Sequence, residues 1–246
     1  MFSFFEKKIF LVDHIEGLID IHNHILPGID DGAKTVEDSI ALIKEFSAFG
    51  VTNFICTPHI MNNYYPNTPE TIGTAFNILQ KKLDAEGMSN IYIDKAAEHM
   101  IDDNFETILE NDKVMPLKNF YLLVEMSFLQ PSINFEKAIS KIVSKNFFPI
   151  LAHPERYVYF HKNFYKYSGF KKNGILFQTN LLSLSNYYGP EIKKITHRLI
   201  DKKHIDFVGS DIHNLNQLNH LKNTTISRKV LDKLNPIIAS TVQRFS

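Results

Sequence analysis

Seven short β-type runs recur along the chain: Leu18–His22, Thr52–Thr57, Ile91–Ala97, Tyr121–Glu125, Phe148–Ala152, Ile175–Thr179 and Phe207–Gly209. Helix-like stretches lie between them, among them Val36–Phe49, Pro69–Leu83, Phe135–Lys145 and Pro190–Lys202. Thr35 and Thr68 read as helix N-caps, the second followed by a proline at the first helical position, and Gly50 stands where a helix C-terminal glycine belongs. Strands alternating with helices imply a parallel sheet, because parallel neighbours need a crossover that a helix supplies. A closed barrel and an open doubly wound sheet both satisfy the pattern.

The residues at the strand ends decide between the two. The first run ends in Asp20-Ile21-His22-Asn23-His24, the second in Thr57-Pro58-His59 and the third in Ala97-Glu98. The fourth ends in Val124-Glu125, the fifth in Ala152-His153-Pro154-Glu155-Arg156 and the seventh in Gly209-Ser210-Asp211-Ile212-His213. In an extended strand residues two apart share a face, so His22 and His24 can grip one ion together. One histidine at a strand end is ordinary, but donors at six of seven ends are not. Carboxylates such as Glu98 and Glu125 inside apolar strands are costly to bury unless paired or metal-bound. An open sheet would spread these ends along a line, whereas a barrel gathers them on one rim. The donors therefore favour closure.

The donor set comprises His22, His24, one of the pair Asp30 and Asp31, His59, Glu98, Glu125, His153, Asp211 and His213. At about three protein ligands per catalytic ion, it supplies about three divalent ions, or two generously. All donors are nitrogen or oxygen, which suits manganese, iron or zinc. His99 follows Glu98 directly and is expected to face the other way, while His14, His161, His197, His204 and His220 read as surface residues. Asp20 is expected either to hydrogen-bond a ligand imidazole or to line the barrel floor, and Gln178 and Asn180 have the same two options.

Composition narrows the class. With 27 basic and 27 acidic side chains there is no global field to recruit nucleic acid or an anionic membrane. A hydrophobic fraction of 44% over 246 residues is ample for one large core, and no linker or repeat marks a boundary. The N-terminal stretch Met1–Val12 lacks a signal-peptide core, and no run approaches the ~18 apolar residues of a membrane helix. The single cysteine, Cys56, allows no internal disulfide, as expected of a cytoplasmic protein.

The run Asp-Ile-His-Asn-His-Ile-Leu-Pro-Gly-Ile-Asp-Asp-Gly at 20–32 resembles the opening motif of the PHP (polymerase and histidinol phosphatase) superfamily. More narrowly it resembles the bacterial capsular-polysaccharide tyrosine-protein phosphatases. Thr-Pro-His (57–59), Ala-Glu (97–98), Val-Glu-Met (124–126), His-Pro-Glu-Arg (153–156) and Gly-Ser-Asp-Ile-His (209–213) match that branch in order. The resemblance covers residues 18–215. It implies a distorted seven-stranded (β/α) TIM-like barrel, here a single domain over residues 1–246 with 1–17 as an N-terminal extension. It also implies three divalent ions, most often manganese. The substrate implied is phosphotyrosine on a tyrosine autokinase of polysaccharide export, without nucleic acid or membrane insertion. Carried over residue by residue, His22, His24, Glu98 and Asp211 would hold the first ion. His59, His213 and one of Asp30 or Asp31 would hold the second, and Glu125 and His153 the third, with Glu98 bridging. Members from Gram-positive bacteria often follow the second-strand histidine with a basic stretch. Here residues 60–65 are neutral and aromatic, suited to stacking on an aromatic ring or to covering the site as a lid.

Phosphoester chemistry then gives Arg156 a role. It is one of four arginines and stands three residues past His153, where its planar fork suits a phosphoryl group. A salt bridge to Glu155 is the plainer reading. Asp31 is the second candidate catalytic group. A cysteine phosphatase is a poor fit, since its known families place arginine six residues after the nucleophile, where this chain has Asn62. Cys56 reads as a buried structural thiol. Histidinol phosphatase or another PHP phosphoesterase is the alternative activity, and a catalytically silent binding module that keeps the barrel is the reading from a different class.

Overall fold

The computed structural model describes residues 9–246. The first part of the N-terminal extension, including most of the stretch read for a signal peptide, lies outside the described residues. From Ile9 onward the extension belongs to the fold. Strand β1 (Ile9–Phe10) pairs antiparallel with β11 (Thr225–Ile226), and Leu11 and Ile15 are fully buried.

The remaining strands are β2 (Ile19–Asp20), β3 (Asn53–Cys56), β4 (His59–Ile60), β5 (Tyr92–Lys95), β6 (Glu98–Met100), β7 (Tyr121–Glu125), β8 (Phe148–Ala152), β9 (Leu176–Asn180) and β10 (Phe207–Gly209). All of these pair in parallel. Six form one ladder in the order β10-β9-β8-β7-β6-β4, and three form another, β2-β3-β5. The second and third runs are present as β3 and β5, and each is followed after a short break by a further strand: β4 beyond Thr57-Pro58, where proline has no N–H to give the ladder, and β6 beyond Ala96-Ala97. Backbone bonds carry the chain across both breaks, from Ala96 N to Cys56 O at 2.8 Å and from Glu98 N to Pro58 O at 3.1 Å.

The sheet curls until its two ends touch. Beyond β2 and β10, Asp211 N donates to His22 O at 2.7 Å and His24 N to Ile212 O at 3.1 Å. Asn23 ties the same segment to the next strand, exchanging backbone and hydroxyl bonds with Thr57 and donating Nδ2 to Ile55 O. The result is a mixed α/β fold with a curled parallel sheet.

Helices α1 (Val36–Ser47), α2 (Pro69–Ala85), α3 (Phe105–Glu110), α4 (Phe135–Ser144), α5 (Val158–His161), α6 (Tyr165–Lys172), α7 (Pro190–Asp201), α8 (Leu215–Lys222) and α9 (Arg228–Phe245) cover the sheet. The expected caps are present: Thr35 accepts from Asp38 N and Thr68 from Thr71 N, each in a reciprocal capping box. Strand alternation sorts the core into two clusters. Leu122, Val124, Leu151, Phe177 and Val208 join the helices. Ala96, Leu123, Ile150, Phe207 and, from the end of α9, Phe245 make a second cluster on the other face. Glu98 and Glu125 share that second face, two residues beyond Ala96 and Leu123. The polar rim therefore caps an apolar interior.

Gly209 is where the two sheets come closest. A Cβ there would stand 2.6 Å from His22 Cβ and 3.0 Å from Gln178 Nε2. Gly209→Ala is expected to lose about 1–3 kcal/mol of stability through overpacking. Gly169→Ala, in helix α6 with nothing within 4 Å of the added carbon, is expected to gain about 0.5–1 kcal/mol. Urea denaturation of both variants checks the contrast; equal midpoints would contradict the close approach at Gly209.

Candidate metal centre

Glu98 sits at the centre of the rim with no exposed surface. Its Oε2 lies 3.1 Å from His22 Nε2, 3.1 Å from His59 Nδ1 and 3.6 Å from His24 Nε2, and its Oε1 lies 3.0 Å from His153 Nε2. Asp211 Oδ1 approaches His22 Nε2 at 3.4 Å and His24 Nε2 at 3.3 Å. Glu125 Oε1 is 3.0 Å from His59 Nδ1, and Asp31 Oδ1 is 3.5 Å from both His59 and His213 Nε2. These donors fall into four overlapping groups able to hold an ion: His24 with Asp31, His59 and His213; His22 with His24 and Asp211; His22 with Glu98 and His153; and His59 with Glu98 and Glu125.

The atoms aimed into this space fit cations. His22 Nε2, His24 Nε2, His59 Nδ1, Glu98 Oε2 and Glu125 Oε1 are buried without a hydrogen-bond partner, a state that proteins seldom tolerate in side chains. Charge points the same way. Burial alone would lower the basicity of His22, yet Glu98 and Asp211 beside it raise its pKa to about 9. His24 rises to about 10 against its own burial, through Asp30 and Asp211. Glu98 and Asp211 are held well below the usual carboxylate range despite burial, by the histidines around them. The side chains thus collectively attract positive charge, which protons or divalent ions can supply.

Further residues orient these donors. Gln178 Oε1 lies 2.7 Å from His22 Nδ1. The Gln178 amide nitrogen donates to Thr179 O and Asn180 Oδ1, so the oxygen faces His22 and accepts its Nδ1–H. Asp30 Oδ2 does the same for His24 Nδ1 at 2.8 Å and also accepts from His59 N, while its Oδ1 accepts from Gly32 N. Both rings therefore turn Nε2 toward the cluster. The adjacent pair Asp30 and Asp31 divides: Asp30 lies behind His24, and Asp31, half exposed, lies among the donors. The backbone is strained at two strand ends, with φ of 33° at His153 and 54° at Asp211.

Several readings of the sequence change. Asp20 touches no imidazole; its carboxylate accepts from Ser210 N at 2.8 Å and Ser210 Oγ at 2.6 Å, fixing the last strand's exit. Burial pushes its pKa up to about 6, with the Ser210 bonds opposing. Arg156 does not pair with Glu155. Its guanidinium stacks between the rings of Phe128 at 4.2 Å and Tyr188 at 4.4 Å and donates to Asp211 Oδ2 at 3.1 Å. Glu155 instead is buried and accepts from Asn180 N. His99 faces away from the donors, with Nδ1 toward Leu123 O and Nε2 accepting from Met115 N. Of the five histidines read as surface, only His220 is exposed; His14, His161, His197 and His204 are half-buried. His161 and His204 have polar partners in Glu155 O and Ser168 Oγ. Cys56 is buried and its thiol pushed up by burial, as expected.

Phe128 and Tyr188 were not foreseeable as site residues. Both lie in segments without a metal-ligand pattern and reach the site only through the fold. With Asp31, His59, His153 and Arg156 they line a pocket of about 240 Å³ over the cluster.

A curled parallel α/β sheet, whose rim gathers buried histidines and carboxylates into adjoining donor groups, defines a protein equipped to hold metal. The family described as "Capsular polysaccharide synthesis, CpsB/CapC" matches residues 18–233, and the chain belongs to it. It is 31% identical over 203 residues to tyrosine-protein phosphatase YwqE of Bacillus subtilis, covering 82% of this chain and 80% of that one. It is 28% identical over 205 residues to tyrosine-protein phosphatase CpsB of Streptococcus pneumoniae, covering 80% and 84%. The solved structures of those two proteins, described as unique metal-dependent tyrosine phosphatases, include one that superposes with a TM-score of 0.80, 30% identity and 90% coverage of both chains.

Gln178→Ala leaves His22 Nδ1 without its acceptor. Manganese affinity, read by competition with a chelator, is expected to fall about tenfold or more while the fold persists. Unaltered affinity would remove Gln178 from the centre.

Proposed function

We propose that the protein is a metal-dependent protein-tyrosine phosphatase acting in bacterial polysaccharide synthesis. The single observation that carries this reading is Glu98, buried among His22, His24, His59 and His153. It lies in a chain that matches the CpsB/CapC family and relatives named as tyrosine-protein phosphatases. The finer reading is a cytoplasmic enzyme whose two ladders act as one distorted seven-stranded barrel, supported by the bonds between the His22 and Asp211 segments. Among the described residues no helix is long and apolar enough to cross a membrane.

Three divalent ions are proposed, manganese first, with iron or zinc also suited to the nitrogen and oxygen donors. His22, His24, Glu98 and Asp211 would hold one. Asp31, His59 and His213 would hold the second, with Asp30 positioning His24 rather than binding directly. Glu125 and His153 would hold the third beside Glu98. Bound there, such ions lower the pKa of coordinated water toward ~7 and neutralise phosphoryl charge.

The chain's own part is positioning. Arg156 presents a flat guanidinium over the pocket, held on both faces by Phe128 and Tyr188. Its hydrogen bond to Asp211 leaves other N–H groups to engage phosphoryl oxygens. Asp31 stands half exposed at the mouth, where its carboxylate meets the incoming group. A phenolate leaving group, with a parent pKa near ~10, departs with less acid assistance than an alkoxide. The proposed substrate is phosphotyrosine on a tyrosine autokinase of polysaccharide export.

Two outcomes test this. The purified protein is expected to hydrolyse a tyrosine-phosphorylated peptide in a manganese-dependent manner, lose activity on chelation and regain it on adding metal. Preference for histidinol phosphate would replace the reading with a different PHP-type phosphoesterase, and activity that survives chelation would remove the metal chemistry. Arg156→Ala is expected to retain its metal content while kcat/KM on an aryl phosphate falls about 100-fold; an unchanged value would end its proposed role.

A further inference from the structure

A second cavity, of about 750 Å³, opens from the same site. It shares Asp31, His59, Glu125 and Phe128 with the small pocket over the donors, so the two are continuous. One wall is the turn after β4, carrying Tyr64 and Tyr65, and the other is the segment between β7 and α4, carrying Leu129 and Ile133.

The walls are held in place. Met61 and Tyr65 exchange backbone bonds of 2.9 Å, and Asn62 N donates to Asp102 Oδ2 at 2.7 Å. Across the groove Ser132 Oγ donates to Ile101 O at 2.7 Å, and Tyr159 OH donates to Ser127 O at 2.9 Å. On these pinned segments large apolar side chains stand in the open: Tyr64 is 77% exposed, Leu129 91% and Ile133 95%. Such clustered apolar exposure beside a site marks a contact surface. Away from the donor residues its charge has one sign: Asp102 and Asp103 line the groove and no lysine or arginine does, while Asp31, His59 and Glu125 at the shared end belong to the donor set.

We infer that this groove receives the polypeptide flanking the phosphotyrosine and selects apolar or basic neighbours over acidic ones. The inference rests on the phosphatase reading and specifies which phosphotyrosine sequences that site accepts. The small pocket has room for the phosphorylated ring's head, and Arg156, which lines only that pocket, meets the phosphate. The flanking residues run past Phe128 into a groove whose carboxylates repel acidic side chains and whose Leu129 and Ile133 bury apolar ones. Continuity with the site and the acidic pair Asp102 and Asp103 identify the occupant as substrate chain.

The test uses phosphotyrosyl peptides identical except at the flanking positions, which carry leucine and lysine in one and glutamate in the other. Para-nitrophenyl phosphate, small enough for the inner pocket alone, reports on the chemistry. The expected result is a KM roughly fivefold or more lower for the leucine–lysine peptide, with kcat nearly equal. Asp103→Lys is expected to shrink that gap by lowering KM for the glutamate peptide, and Ile133→Glu to raise KM for the leucine–lysine peptide. Equal KM values for both peptides, or a gap that Asp103→Lys leaves intact, would overturn the inference while the phosphatase reading stands. Failure to hydrolyse any phosphotyrosyl peptide would overturn both. A dimer in light scattering that Ile133→Ser converts to monomer would assign the groove to a second copy and overturn the substrate assignment.

Discussion

The structure depends on one buried carboxylate being surrounded by imidazoles. Glu98 is fully buried and lies within 3.0–3.6 Å of nitrogens from four histidines, which reach it from two strand ends and one strand break. A lone carboxylate in such a place would be protonated or expelled. Here the opposing groups satisfy one another only if every strand arrives at the rim in register. A one-residue slip in β6 would put His99 where Glu98 stands, and His99 is committed to backbone groups on the other face.

Around that contact the molecule divides its labour between order and exposure. The supporting residues Gln178, Asp30, Asp20 and Ser210 are buried and hydrogen-bonded. The residues nearest the opening, Asp31, Arg156 and Phe128, retain some exposure and line the mouth. Strain is concentrated at the same rim, where His153 and Asp211 adopt positive φ. Regular pairing elsewhere in the sheet maintains these conformations against their intrinsic cost.

The fold class and the donor set were legible in the sequence because both follow from local rules. Short β-type runs marked the strands, and the capping threonines marked helix starts that the structure reproduces at Val36 and Pro69. What the sequence obscured depends on distant contacts. The short strands β4 and β6 that follow the second and third runs pair in a different ladder from β3 and β5. Helix α9 carries Pro236 in its interior, which reads as a helix breaker although buried Leu231, Leu234, Ile237 and Ile238 hold the helix together. Arg156 lies beside Glu155 in the chain, yet the 3₁₀ turn at Pro154–Arg156 sends the two side chains apart, one into the interior and one over the pocket. No linear pattern pairs Arg156 with Phe128 and Tyr188.

The seam that closes the sheet also sets the order in which the site can come into being. Ser210 meets Asp20, and Asp211 meets His22, across about 190 positions of sequence. The groups His22 with His24 and Asp211, and His24 with Asp31, His59 and His213, therefore stay incomplete until the segment around residues 207–213 has docked. During synthesis the N-terminal half emerges first and carries His22, His24 and His59 without Asp211 or His213 to complete their surroundings. Completion of those two groups is thereby coupled to a long-range step of folding, so a nascent or partly unfolded chain presents only part of the donor set.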